Sequence, residues 1–241
     1  MLFGLFWGDA SILILIPAMI FAIWAQFNVK STFDKYSKVQ NMRGLTGAAA
    51  ARRILDAHGL QHITVEHVGG NLTDHYDPRA NVIRLSDSVY ASTSAAAIGV
   101  AAHEAGHAIQ HSVGYVPIKI RAAIIPMTRI GSMLSMPIFL IGLLLGGSAY
   151  VGGSVGDMLM LTGIVLFSFS TLFQLVTLPT EFNASSRALA VLRDGGILYD
   201  EEIDAASKVL RAAALTYVAA LASSLASLLR LILLFSGRRR N

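Results

Sequence analysis

Residues 94–111 read S-A-A-A-I-G-V-A-A-H-E-A-G-H-A-I-Q-H. Ser92, Thr93 or Ser94 can cap a helix here, because a side-chain oxygen accepts a bond from an otherwise unpaired first-turn N–H. The alanine run that follows is the strongest helix former, so the stretch predicts a helix to about His111. Side chains four apart on a helix share one face, one turn apart, so His103 and His107 can meet a single cation. Glu104 sits beside them, within reach of a water that such a cation activates. The spacing H-E-x-x-H on a helix suits two imidazoles holding Zn²⁺ and a carboxylate acting as general base. Three polar residues on a solvated face would be the plainer account. The flanking Ala and Gly argue against it, since small residues let a helix pack closely against a wall.

Two imidazoles leave a catalytic zinc one protein ligand short. The chain has no Cys, so the remaining ligand must be His, Asp or Glu. His111 continues the row, yet eight residues of straight helix place it about 12 Å from His103, too far to share an ion. The longer pattern in which a glycine turns the chain back to present a third His is absent. Glu181 is the better candidate. It follows Pro179 within residues 180–188, T-E-F-N-A-S-S-R-A, which predict a helix start with Pro at an early position. A carboxylate placed there only to favour the helix dipole is the alternative.

The composition says where this helix lives. Of 241 residues, 54% are hydrophobic and 14% charged, with a mean hydropathy of +0.58, whereas an ordinary soluble domain has about 45–50% apolar and 25% charged residues. This excludes a disordered chain, a nucleic-acid-binding tail and an ordinary cytosolic enzyme. Four apolar runs, 5–27, 133–153, 158–178 and 212–235, each reach the roughly 20 residues that cross a hydrocarbon core of about 30 Å. The first lacks a basic leader and reads as a retained anchor carrying Asp9 near its start and Pro17 as an expected kink. The second and third form a hairpin whose turn, 152–157, is rich in Gly and Ser. Gly142 and Gly146, inside the second run, form a G-x-x-x-G that permits close approach of a neighbouring helix, with glycine simply tolerated in a lipid-facing helix as the alternative. The fourth begins at the polar Asp200-Glu201-Glu202 and carries a small-residue row, Ala219, Ser223 and Ser227.

Orientation follows from the basic residues. Residues 28–129 hold eleven Lys and Arg and residues 180–211 four, whereas the hairpin turn has none, which places both basic segments in the cytoplasm. The net charge of +4 then reflects topology, with no nucleic-acid partner expected. Arg238, Arg239 and Arg240 pull the other way; the two larger segments are expected to outvote them. Two crossings separate His107 from Glu181 and return the chain to one side, so the two can converge.

Residues 28–129 also predict a helix over 46–59, capped by Thr46 and stopped by Gly59, and strands over 63–68 and 81–86, with 73–79 as turns. Together with the motif helix they make a small α+β unit. As an edge strand, 81–86 could receive an extended substrate; as an interior strand it could not. His75, Tyr76 and Tyr115 are candidate transition-state donors, each with a structural role as the alternative.

His103-Glu104-Ala105-Gly106-His107-Ala108-Ile109-Gln110-His111, together with Glu181-Phe182-Asn183-Ala184-Ser185-x-Arg187-Ala188, resembles the YugP-type membrane zinc peptidases across nearly the whole chain. The layout is also similar to HtpX-type gluzincin membrane proteases, in which a Glu on a later helix completes the site; Ser185 stands where that context has Asp. The resemblance implies Glu181 as third zinc ligand beside His103 and His107, with Glu104 as the catalytic base. The expected fold is a mainly α membrane protein, about four transmembrane helices carrying a small α+β zincin-like cytoplasmic metallopeptidase unit. Its parts are an anchor (1–28), a catalytic region (29–130), a helical hairpin (131–179), a cytoplasmic segment with the third ligand (180–211) and a C-terminal helix with a basic tail (212–241). The expected activity is zinc-dependent endopeptidase cleavage of protein or peptide substrates at the cell membrane, by a multi-pass protein whose partner is the bilayer and which can form oligomers. An inactive zinc-bearing scaffold or sensor is the alternative, disfavoured by the intact Glu104, and a transporter is a third, weakened by the few ionisable residues in the spans.

Overall fold

The computed structural model describes residues 10–145 and 153–238. A 3-10 turn, Ala10–Ile14, leads into α1, Leu15–Tyr36. There follow α2, Gly47–Ala57; the strands β1, Thr64–His67, β2, His75–Asp77, and β3, Val82–Leu85; and α3, Ala95–Ser112. Three long helices complete the order: α4, Val116–Leu145, α5, Gly153–Asp194, and α6, Asp200–Arg238. The protein is therefore mainly helical with a small α+β part, as its sequence predicts. It divides into two compact units, one of Ala25–Lys119 and Pro179–Thr216, the other of the described residues within Met1–Trp24, Ile120–Leu178 and Tyr217–Asn241.

In the first unit, the Thr46 hydroxyl accepts from Ala49 N and starts α2, and Gly59, at φ +72°, ends it. Only glycine adopts that left-handed turn without cost. Of the three candidate caps for α3, Ser94 is the one used, its hydroxyl accepting from Ala97 N. Ile54 and Leu55 of α2, Ile83 and Leu85 of β3, and Ala97, Ile98, Ala101, Ala102 and Ala105 of α3 share one core with Ile203, Ala206 and Leu210 of α6. The sheet runs β1-β3-β2, with β1 parallel and β2 antiparallel to β3. β3 is thus the interior strand, so the edge role open to residues 81–86 is lost. The outer strands are β1 and β2, and β2 lies in the stretch expected to be all turn.

In the second unit, Phe139, Met160, Ile164, Leu231 and Leu234 form a core of their own. A Cβ on Gly142 would fall 2.6 Å from Met160 N and 2.7 Å from Gly156 O, so this glycine lets α4 and α5 touch backbone to backbone. Its expected companion Gly146 lies outside the described residues, as does Asp9. Thr171 and Ser224 hydroxyls pair at 2.7 Å, joining α5 to α6. Ile130, Met133, Val165, Leu175, Leu225 and Leu229 point outward and are exposed. Four helices among the described residues are long and apolar enough to cross a membrane, and lipid accounts for side chains that water would not favour.

Several boundaries differ from expectation. Pro17 falls in the first turn of α1, where its missing N–H breaks no helical bond, so it needs no kink. The run expected from 133 is the second part of a helix that begins at Val116 and passes Pro126 and Pro137. The Gly/Ser turn is helical from Gly153 onward; its first residue, Gly152, is not described. Most consequentially, no helix starts after Pro179: α5 runs through it to Asp194. Glu181 is therefore in mid-helix, which removes the helix-dipole account of its presence.

Candidate metal centre

α3 and α5 approach each other because Gly106 has no side chain. A Cβ there would lie 2.6 Å from Ala184 O, so only glycine allows this contact without a backbone shift. Ala105, Ala108 and Ala184 are all buried at the same crossing. The contact brings the middle of α3 to the one turn of α5 that carries Glu181, 78 residues further along the chain.

His103 Nε2 lies 3.1 Å and His107 Nε2 3.4 Å from the same oxygen, Glu181 Oε2. The ligand atoms of all three residues lie within 4.8 Å of one another, near enough to hold one metal ion. Bonds of about 2.0–2.2 Å in a tetrahedron give ligand–ligand edges of about 3.3 Å, which these spacings match. The far sides of the rings are also engaged. His107 Nδ1 donates to Gln110 Oε1 at 2.9 Å, and His103 Nδ1 is 3.1 Å from Ser185 Oγ. With Nδ1 donating, a neutral His107 turns its Nε2 lone pair toward an anionic oxygen, a contact that a bound cation satisfies and that a proton on Nε2 satisfies otherwise. The donor set thus fits zinc.

Gln110 is fully buried, and its amide nitrogen donates to Thr180 O at 2.8 Å and Asn183 Oδ1 at 3.0 Å. Arg187 Nε donates to the same Asn183 oxygen at 2.8 Å, and its guanidinium lies 5.9 Å from the Tyr115 ring centre. A buried amide therefore spans from the imidazole on α3 to the backbone beside Glu181. Such partners set the tautomer and direction of a ligating ring. Gln110 does not stand out in the sequence, whereas Ser185 is marked by standing where the HtpX-type context has Asp. Their spacing was the available signal, since Gln110 is three residues after His107 and Ser185 four after Glu181.

Glu181 is 2% exposed and Glu104 8% exposed. The Glu104 carboxylate has no hydrogen-bond partner among the described residues, which leaves its oxygens open to a substrate or a water. Burial disfavours a charged His107, but its bond to Glu181 and the charges of Glu104 and Glu181 outweigh this and hold its pKa above the usual imidazole range. His111 stays out of the cluster, its ring 5.5 Å edge-on to Tyr76. Burial, aided by the charge of Asp77, raises the Tyr76 phenol above its ordinary pKa. His75 is exposed, its Nδ1 2.9 Å from Thr73 O, and Tyr115 stacks on Arg187. None of these three touches the His103–His107–Glu181 cluster among the contacts described.

A His-His-Glu cluster carried by a chain with four membrane-length helices defines a class, the multi-pass membrane proteins with a zinc-type centre. The sequence model of the family described as "Putative neutral zinc metallopeptidase" matches residues 11–236, and the chain belongs to that family. It is similar to "Putative membrane protease YugP" of Bacillus subtilis (strain 168), with 48% identity over 231 residues, covering 95% of this chain and 99% of that protein. No solved structure matches the chain.

Proposed function

We propose that the protein is an integral-membrane zinc endopeptidase that cuts peptide bonds at the cytoplasmic membrane surface, with His103, His107 and Glu181 as ligands and Glu104 as general base. The observation that carries this reading is the meeting of the three ligand atoms of His103, His107 and Glu181 within 4.8 Å of one another. Zinc held there supplies a Lewis acid that polarises a carbonyl and brings the pKa of a water down to about 7. Glu104, one residue from His103 on the same helix, takes the proton from the attacking water and passes it to the leaving amine. Gln110 and Ser185 keep the rings aimed, and the packed alanines around Gly106 exclude bulk water from the far side.

Substrates are protein or peptide chains, in keeping with the family. Of the two outer strands, β2 is the candidate to receive an extended segment through main-chain bonds, since Tyr76 on it reaches His111 of α3. Residues 29–130 and 180–211 form the catalytic part, and 1–28, 131–179 and 212–241 the membrane part. The cytoplasmic location rests on the fifteen basic residues within 28–129 and 180–211. The test is Glu104→Gln in the purified protein. Zinc content stays at the wild-type level while cleavage of unfolded casein drops by at least about a hundredfold. Undiminished cleavage by that variant would reject the mechanism, and absence of cleavage by the zinc-loaded wild type would reject the activity.

A further inference from the structure

A second concave site lies away from the zinc-type cluster, between the C-terminal turns of α1 and the early turns of α6. It is a cavity of about 300 Å³ lined by Asn28, Thr32, Lys35 and Tyr36 of α1 and by Lys208, Arg211, Ala212 and Leu215 of α6. That volume is at the lower end of small-molecule sites, about 300–1,000 Å³, which suits a headgroup rather than a whole lipid. Its polar end is cationic. The Tyr36 ring has Lys35 Nζ at 5.3 Å and Lys208 Nζ at 5.6 Å, so two ammonium groups are gathered around one aromatic face. Lys208 also pairs with Asp204. Lys35 and Arg211 have no carboxylate at ion-pair distance among the described residues, so the groove keeps an excess of positive charge.

The other end of the groove is apolar, and the sequence shows why. The apolar run of α1 ends at Phe27, immediately before Asn28, and that of α6 begins at Ala212, immediately after Arg211. Tyr36 near the end of α1 meets Lys208 in the early turns of α6, so the polar residues of both helices gather at one end of the cavity. Seven residues of helix, from Asn28 to Lys35, span about 10 Å. The cavity therefore lies at the junction of water and hydrocarbon, basic at its wet end and apolar at its dry end. A soluble anion has no use for Ala212 and Leu215, whereas a phospholipid presents a phosphate and a methylene chain in this order. Lys supplies compact charge and Arg a forked donor to phosphate oxygens.

We propose that this groove binds the headgroup of an anionic phospholipid, its phosphate among Lys35, Lys208 and Arg211 and its first methylenes along Ala212 and Leu215. Basic pockets beside membrane helices on the cytoplasmic face bind such headgroups by the same physics. The site owes nothing to the peptidase reading and stands or falls separately from it.

The full-length protein in nanodiscs of mixed phosphatidylglycerol and phosphatidylcholine, examined by native mass spectrometry, provides the test. The wild type retains phosphatidylglycerol in preference to phosphatidylcholine. Lys35→Gln with Arg211→Gln lowers that retention by about fivefold for each charge removed, while Lys30→Gln with Lys38→Gln, of equal charge but outside the groove, leaves it unchanged. Wild-type retention by the first pair, or equal loss in the second, overturns the proposal. If the double variant does not hold its fold, judged by thermal midpoint, the single variants make the same comparison. Inorganic phosphate added to lipid-free protein in detergent separates the sources: tight binding of phosphate that phosphatidylglycerol does not displace would assign the groove to a soluble anion and overturn the lipid.

Discussion

His103 and His107 are legible from spacing alone, because an i, i+4 pair on a helix has one geometric outcome. Glu181 required a topological argument, and its acidity is better explained in the structure than in the sequence, since mid-helix it has no dipole to serve. Gln110 was not legible. A glutamine among alanines reads as an ordinary helix residue until its burial and its bond to His107 are seen. Gln110→Leu leaves His107 Nδ1 without its Gln110 acceptor and removes the amide bond to the Thr180 carbonyl. Zinc affinity, measured by chelator competition, falls by about 10–100-fold, and stability falls by about 1–3 kcal/mol in thermal or denaturant unfolding. Ser185→Ala, which removes a single contact to His103, has the smaller effect of the two on affinity.

Helix starts are legible from the Thr46 cap and the acidic start of α6, whereas for α3 the sequence offers Ser92, Thr93 or Ser94 and the structure uses Ser94. α5 was misjudged because Pro179 usually marks a boundary, yet packing against α3 carries the helix through it. β2 went unread because three residues, His75, Tyr76 and Asp77, offer no alternation to detect and owe their extension to pairing with β3. Gly106 decides how closely α3 and α5 meet. Gly106→Val drives its side chain into Ala184 O, and the expected result is loss of bound zinc together with destabilisation of about 1–3 kcal/mol, read by metal stoichiometry and unfolding midpoint. The loop between β1 and β2 has a pH-dependent tie. The Gly70 N–H donates to Asp87 at 2.8 Å and His67 Nε2 lies 2.6 Å from the same carboxylate, which together hold the Asp87 pKa below its usual value. A lowered folded pKa adds stability above the unfolded value near 3.8, and this is lost as pH falls through the folded one. Hydrogen exchange at Gly70 therefore stays slow at pH 5 and accelerates below about pH 3.8. Equal rates at both, after correction for intrinsic exchange, would remove the tie.

The whole molecule joins a membrane unit to a helix-and-sheet unit, and the division was visible in the alternation of apolar runs with one long polar interval. What composition could not show was the length of the helices, which extend past the apolar runs into the polar unit. If all four helices cross, both chain ends are expected on one side and residues 28–129 on the other. The absence of Cys gives a clean test by thiol labelling. Gln61→Cys is expected to react with an impermeant maleimide only after cells are permeabilised, and Asn241→Cys in intact cells. The reverse pattern would invert the topology, and protection of both would remove the fourth crossing. The strand β2 has a last implication. If it receives the substrate, a rail only three residues long, His75–Asp77, grips a stub of chain and reads hardly any of its letters. On the proposed reading a client would be selected by how readily it frays near the lipid surface, and looseness rather than a recognition motif would mark it for cutting.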